Sequence, residues 1–217
     1  CCDKIQKYLS PSGENISNVL IEITKFLDSQ LYVDKCKNIS SITVFDECFI
    51  KPGVSNELDE LLNNLKSNNE MFSYIHELLN NCVRKQDRKQ DSNIEYVKIH
   101  NTEKSGATLQ ITKKRGLLLK AYISEHQNDE IDKLNGTKWG DIKLNSASGN
   151  ADEIDFPLLT KICRDILHQK EYMNKLIAKS YQSILEIIEH EYYEKLEFIA
   201  NYIAKYDVLI NKAYIAL

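Results

Sequence analysis

Apolar positions recur at two different periods along this chain. Residues 14–29 carry Ile16, Val19, Leu20, Ile23, Phe26 and Leu27 at helical spacing, with one wet face. Ser10-Pro11-Ser12-Gly13 ahead of them is a helix-start signal. Gln30 to Gly53 reads as short and irregular, with Ile42, Val44 and Phe45 expected to be extended and Lys51-Pro52-Gly53 to turn. The helical period returns at Leu58, Leu61, Leu62, Leu65, Phe72, Ile75, Leu79 and Val83. Ser55 is placed to cap that helix, because its hydroxyl can accept an orphan N–H, and Glu57, Asp59 and Glu60 suit the positive end of the helix dipole. A helix from 55 to about 85 is roughly 45 Å long, and Asn63-Asn64 and Ser67-Asn68-Asn69 weaken its middle, which leaves room for a kink.

Beyond the polar bridge of Arg84 to Ser92 the period changes. Ile94, Tyr96 and Ile99 resemble a strand, and Ala107, Leu109 and Ile111 alternate with Thr108, Gln110 and Thr112 at period two. Asn101 to Gly106 lies between them as a hairpin connection. Gly116 to Ile123 is a short helix or strand, Asn135-Gly136 signals a turn, and Ile142, Leu144 and Ser146 are placed for a third strand. From Asp155 onward helical periodicity is the strongest in the chain, running from Phe156 through Ile166, Ile177 and Ile188 to Tyr206 with no Gly or Pro after Pro157. One helix from about 157 to 204 spans roughly 70 Å and cannot bury its seam against itself. Its expected partner is the 55–85 helix, running antiparallel. The predicted fold class is therefore mainly α with a small β insertion: long antiparallel helices carrying a small antiparallel sheet at their distal end. The expected divisions are 1–54 (helices and connector), 55–92 (first long helix), 93–150 (insertion with strands) and 151–217 (long returning helix).

Composition sharpens this picture. Seven glycines and three prolines in 217 residues allow few turns, so the elements must be long. No run of 18 apolar residues exists, and no membrane partner is expected. The chain opens Cys1-Cys2-Asp3-Lys4 without Met and reads as an excised piece of a longer protein. Six cysteines with no C-x-x-C predict free thiols in a reducing compartment. The five histidines lack metal-ligand spacing, and neither a metal nor a catalytic site is expected in this chain. Glu186, Glu189, Glu191 and Glu194 read as a solvated helix face, some pairing with Lys195. Trp139 reads as a core anchor of the small sheet, and the tyrosines from Tyr172 to Tyr214 as packing residues rather than base-stacking ones. Net charge is −4, yet Arg84–Lys120 holds ten Lys/Arg against four Asp/Glu. That concentrated positive charge makes a phosphate backbone the expected target, because Lys and Arg release condensed counterions when they neutralise phosphates.

Three segments carry a resemblance. Phe49-Ile50-Lys51-Pro52-Gly53-Val54-Ser55-Asn56-Glu57-Leu58-Asp59-Glu60-Leu61 resembles the start of the lever region of MutS-type mismatch repair proteins, roughly I-x-x-G-x-x-x-x-L-D-x-L. Gly106-Ala107-Thr108-Leu109-Gln110-Ile111-Thr112 is similar to that family's clamp strand, G-Y-x-I-E-V-T, with Ala107 where the family has an aromatic. Tyr206 to Ala216 resembles the lever's x-D-V-L-x-S-L-A-x-x-A ending. The usual T-P-E-L before the returning helix is replaced by Ser146 to Glu153, and Leu109 to Arg115 is nearer the divergent viral and organellar branch. The resemblance covers about residues 14–217 and implies a lever with an inserted clamp.

The resemblance also implies a role. Two clamps close over double-stranded DNA in a dimer, and the levers connect them to remote ATPase domains. This chain has no G-x-x-x-x-G-K-[ST] loop, so ATP and Mg would belong to the parent protein, with no cofactor held here. The family's F-x-E mismatch-reading motif is likewise expected outside this chain. The candidate backbone-binding residues are Lys98, Lys104, Thr112, Lys113, Lys114, Arg115 and Lys120, which position DNA rather than read its bases. The rival expectation is a helical tether or scaffold with a protein-binding β head, which predicts no salt-dependent DNA affinity.

Overall fold

The computed structural model describes residues 2–37, 39, 41, 44–45, 47–87, 94–102, 106–147 and 149–216. It is mainly α with one small antiparallel sheet. The helices are α1 (Cys2–Leu9), α2 (Ile16–Gln30), α3 (Val33–Cys36), α4 (Asn56–Gln86), α5 (Lys113–Glu125), α6 (Pro157–Ile187) and α7 (Tyr193–Ile215). A π turn, Ile188–Tyr192, separates the last two. The strands are β1 (Val97–Thr102), β2 (Gly106–Thr112), β3 (Lys143–Ser146) and β4 (Ala151–Asp155), paired antiparallel in the order β1-β2-β4-β3. The chain divides into two compact units, one of Cys1–Asp59 with Asn174–Leu217 and one of Glu60–Met173.

The second unit holds a continuous core. Phe72, Ile75, Leu79 and Val83 of α4 meet Val97, Leu109, Ile111 and Ile154 of the sheet, Leu119 of α5, and Leu159, Ile162 and Ile166 of α6. The period-two pattern of β2 explains its burial: Leu109 and Ile111 point inward, Thr112 is exposed, and Thr108 and Gln110 lie half-buried. Asn80 of α4 fixes the start of β1 by accepting from the Tyr96 and Val97 amides at 2.6 and 3.1 Å. Trp139 is buried and meets Tyr122 edge-on at 4.8 Å. The insertion is thus a packed α/β body that recruits its flanking helices, and not a bare strand tip.

Several boundaries differ from expectation. Ala151–Asp155 is a strand between β2 and β3, where the pattern predicted the lead-in to a helix. Asp, Glu and Ala disfavour strands, but pairing on both edges outweighs that preference. The cations at 113–115, expected to trail the strand, open helix α5. The long returning helix is interrupted at 188–192. The α4 helix begins and ends within a residue of prediction, and Ser55 Oγ accepts from the Leu58 amide at 3.4 Å. The expected extended run at 42–45 falls partly outside the described residues, as does the hairpin connection at 103–105.

The first unit is smaller-cored. Val19, Leu31, Phe49, Ile50, Leu58, Leu176, Ile177 and Ile184 are buried in it. Phe26 stacks on Tyr192 at 4.8 Å, Phe49 meets Tyr181 edge-on at 5.6 Å, and Lys195 pairs with Glu22 rather than with the neighbouring glutamates. That pairing raises the Lys195 pKa, chiefly through its hydrogen bond to Glu22.

Candidate nucleic-acid interface

The site grows from the junction between β2 and α5. Thr112 ends the strand with φ −66° and ψ 146°, the extended geometry of a helix cap, but its side chain makes no capping hydrogen bond. Lys113, Lys114 and Arg115 then fill the first turn, with no acidic residue among them. Helix N-termini already carry partial positive charge, so three cations there are electrostatically unfavourable for the isolated fold. The Lys113 amide is satisfied by the Asn150 carbonyl at 3.1 Å, which ties the helix start to the β3–β4 turn.

Asp152 answers part of this charge from within. It is buried on β4 opposite Ile111, and its Oδ2 lies 3.4 Å from where a Cβ on Gly116 would stand. Lys113, Lys114 and Arg115 thus bring three positive charges to the first turn of α5, with the Asp152 carboxylate beside Gly116 in the next. Among the described residues, neither Lys113 nor Lys114 forms an ion pair, and both are exposed.

Arg115 is held differently. Its guanidinium lies 4.7 Å over the Tyr96 ring and its Nη1 donates to the Glu95 carbonyl at 3.1 Å. It is half-buried and braces α5 against the approach to β1, so it contributes field more than reach. Lys98 is exposed on β1, in register with Gln110 and, across the sheet, Glu153 and Asn145. Lys104 lies outside the described residues. Lys120 is exposed two turns beyond Lys113, and spacing of seven puts the two on one stripe of α5. Leu117, 65% exposed, sits between them on that stripe. The apolar pattern did not single it out, because it gives no reason for a wet leucine.

The tripeptide Phe45-Asp46-Glu47 spells F-x-E in this chain, against expectation. Phe45 packs edge-on against Phe49 at 5.4 Å and Glu47 pairs with Lys35 at 2.9 Å, so both side chains are occupied locally. That hydrogen bond holds the Glu47 carboxyl below its usual range. Among the described residues no group of three His, Cys, Asp or Glu is placed to hold a metal ion, and no helix is long and apolar enough to cross a membrane. No family model matches the chain, and no curated protein does.

Proposed function

We propose that this chain is the lever and clamp portion of a MutS-like mismatch repair protein. In this reading it grips the DNA backbone without reading sequence and passes the bound state to an ATPase domain that the chain lacks. ATP and Mg would act in that domain, and a second subunit would complete the grip. The observation that carries the reading is the placement of Lys113 and Lys114. They are exposed, unpaired among the described residues, and set on a helix end whose dipole repels them. A duplex phosphate would relieve that repulsion and accept their hydrogen bonds. The β2 hairpin and the resemblance of its sequence to a clamp strand support the same reading.

The test is duplex binding by the whole chain across a salt series, with and without a mismatch. Both duplexes are expected to bind alike. Lys113→Ala with Lys114→Ala should weaken binding and flatten the log–log salt slope by roughly 2, close to one unit for each phosphate left unneutralised. An unchanged slope would remove the reading. Absence of salt-sensitive binding favours the rival, a helical tether with a protein-binding head. That rival draws on one observation: α7 leaves Ile203, Tyr206, Val208, Ile210, Tyr214 and Ile215 exposed, an apolar surface that suits protein contact.

A further inference from the structure

Helix α7 carries two packing faces, and one of them lies open. Lys195, Phe198, Tyr202, Lys205 and Leu209 follow one another at helical spacing and are half-buried. This face packs on the first unit: Lys195 pairs with Glu22 of α2, and the Lys205 ammonium lies 5.7 Å over the Tyr8 ring of α1. About a quarter turn round the helix runs a second stripe, of Leu196, Ile199, Ile203, Tyr206, Ile210 and Ala213. Its gaps are three, four, three, four and three residues, the seven-residue repeat of a paired-helix seam. Ile199 is half-buried and the other five are exposed, Ile203 by 58% and Tyr206 by 52%.

Area and charge decide what suits this stripe. None of its six positions is charged, unlike a solvated helix face. Tyr214 widens it at its C-terminal end. At roughly half of the ~200 Å² that a large side chain presents, Leu196, Ile203, Tyr206, Ile210 and Tyr214 offer about 500 Å² per copy. Two copies would remove about 1,000 Å² from water, the lower bound of a specific interface. Residues 196–213 make about two and a half heptads, too few for a free-standing coiled coil. The helix has to be held first, and its inner face on α1 and α2 holds it. Charge sets the direction. With Lys195 neutralised by Glu22, the first half of α7 keeps Glu194 and Glu197, while Lys205 and Lys212 outnumber Asp207 in the second. Antiparallel pairing puts the acidic half beside the basic half and opposes the two helix dipoles, whereas parallel pairing puts like beside like.

We propose that this stripe is a homodimer interface, in which two copies of the chain pair their α7 helices antiparallel about a two-fold axis between Ile203 and Tyr206. Ile203 then meets Tyr206 of the second copy, Ile199 meets Ile210, and Leu196 meets Ala213. The same patch serves both copies, as an isologous contact requires. The small area makes the dimer a reversible one rather than an obligate one. The proposal uses the first unit alone and does not rest on the DNA reading, to which it would furnish the second subunit.

Sedimentation equilibrium of the whole chain, from about 1 to about 300 μM, tests it. A monomer–dimer equilibrium is expected. Ile203→Glu should weaken dimerisation by about tenfold or more, because it buries an unpaired carboxylate at the axis, and Tyr206→Lys should do the same with an ammonium. Mixing the two variants should restore pairing, since an antiparallel axis sets the new carboxylate against the new ammonium and a parallel seam would not. Both positions are exposed in the single chain, and circular dichroism reports whether each variant is folded. A monomer at every concentration, a dimer indifferent to Ile203→Glu, or no recovery on mixing would overturn the proposal. So would a monomer whose stripe instead binds phosphatidylcholine vesicles in an Ile203→Glu-sensitive way, which would assign the face to lipid. Lys113→Ala with Lys114→Ala should leave dimerisation unchanged, so the two readings fail separately.

Discussion

At the scale of single residues, burial sets both stability and reactivity. Leu109 is fully buried between its strand neighbours, so Leu109→Ala is expected to cost about 2–5 kcal/mol in urea denaturation through forfeited transfer energy and the cavity left behind. Burial also pushes the Cys82 thiol up to about 12 and the Cys163 thiol to about 11, the latter helped by Glu153 and Asp155. The thiolate is the reactive form, so at pH 8 Cys82 should alkylate about a thousandfold more slowly than an ordinary thiol. The linkage has a definite sign. A folded-state value above the unfolded one means this contribution is intact below about pH 8.5, the usual unfolded-thiol value, and is lost as pH rises toward 12. Comparing the alkaline stability profile of Cys82→Ala with that of the unsubstituted chain isolates it: the variant should lose less stability over that range. The roles of Arg115 and Asp152 were not legible in the sequence. A cation in a basic run gives no sign that an aromatic ring lies under it, and an acid in a polar stretch gives no sign that a ladder turns it inward.

Elements show where local preference yields to packing. Helix α5 starts on an uncapped threonine followed by cations, an arrangement that lowers its own stability. Thr112→Asp should therefore stabilise the protein by about 0.5–1 kcal/mol in thermal or urea denaturation while weakening duplex binding, because it caps the helix with the charge that DNA would otherwise supply. A variant that loses stability instead would show that Thr112 is held for another reason. The π turn at Ile188–Tyr192 takes up one extra residue, which keeps Tyr192 on Phe26 and Lys195 on Glu22. Deleting exposed His190 should convert it to an ordinary turn and cost less than Tyr192→Ala, which forfeits a stack of about 0.5–1.5 kcal/mol besides the ring's buried area. Denaturation midpoints that rank the two the other way would refute this account of the turn. The sequence foretold the long α4 because caps and a stripe agree there. It did not foretell the π turn, since a one-residue offset in a long seam is too small to break the apolar period.

For the whole molecule, the unequal cores of the two units predict unequal protection. Amides of Leu109, Ile111 and Ile154 lie in paired, buried strands, whereas Val208–Ile215 lies on a largely exposed helix end. Hydrogen exchange should be slowest at the former and fastest at the latter, and uniform protection would contradict the division into units. The sequence by itself determined the mainly helical character, the position of the small sheet and the concentration of cations near it. Those features follow from periodicity and charge order, which are local and survive any arrangement of the chain. The tertiary structure alone decided that Ala151–Asp155 is a central strand and that Asp152 lies beneath the start of α5. Each depends on residues distant in sequence meeting across a ladder or a helix face, and no local pattern encodes which partner will be found.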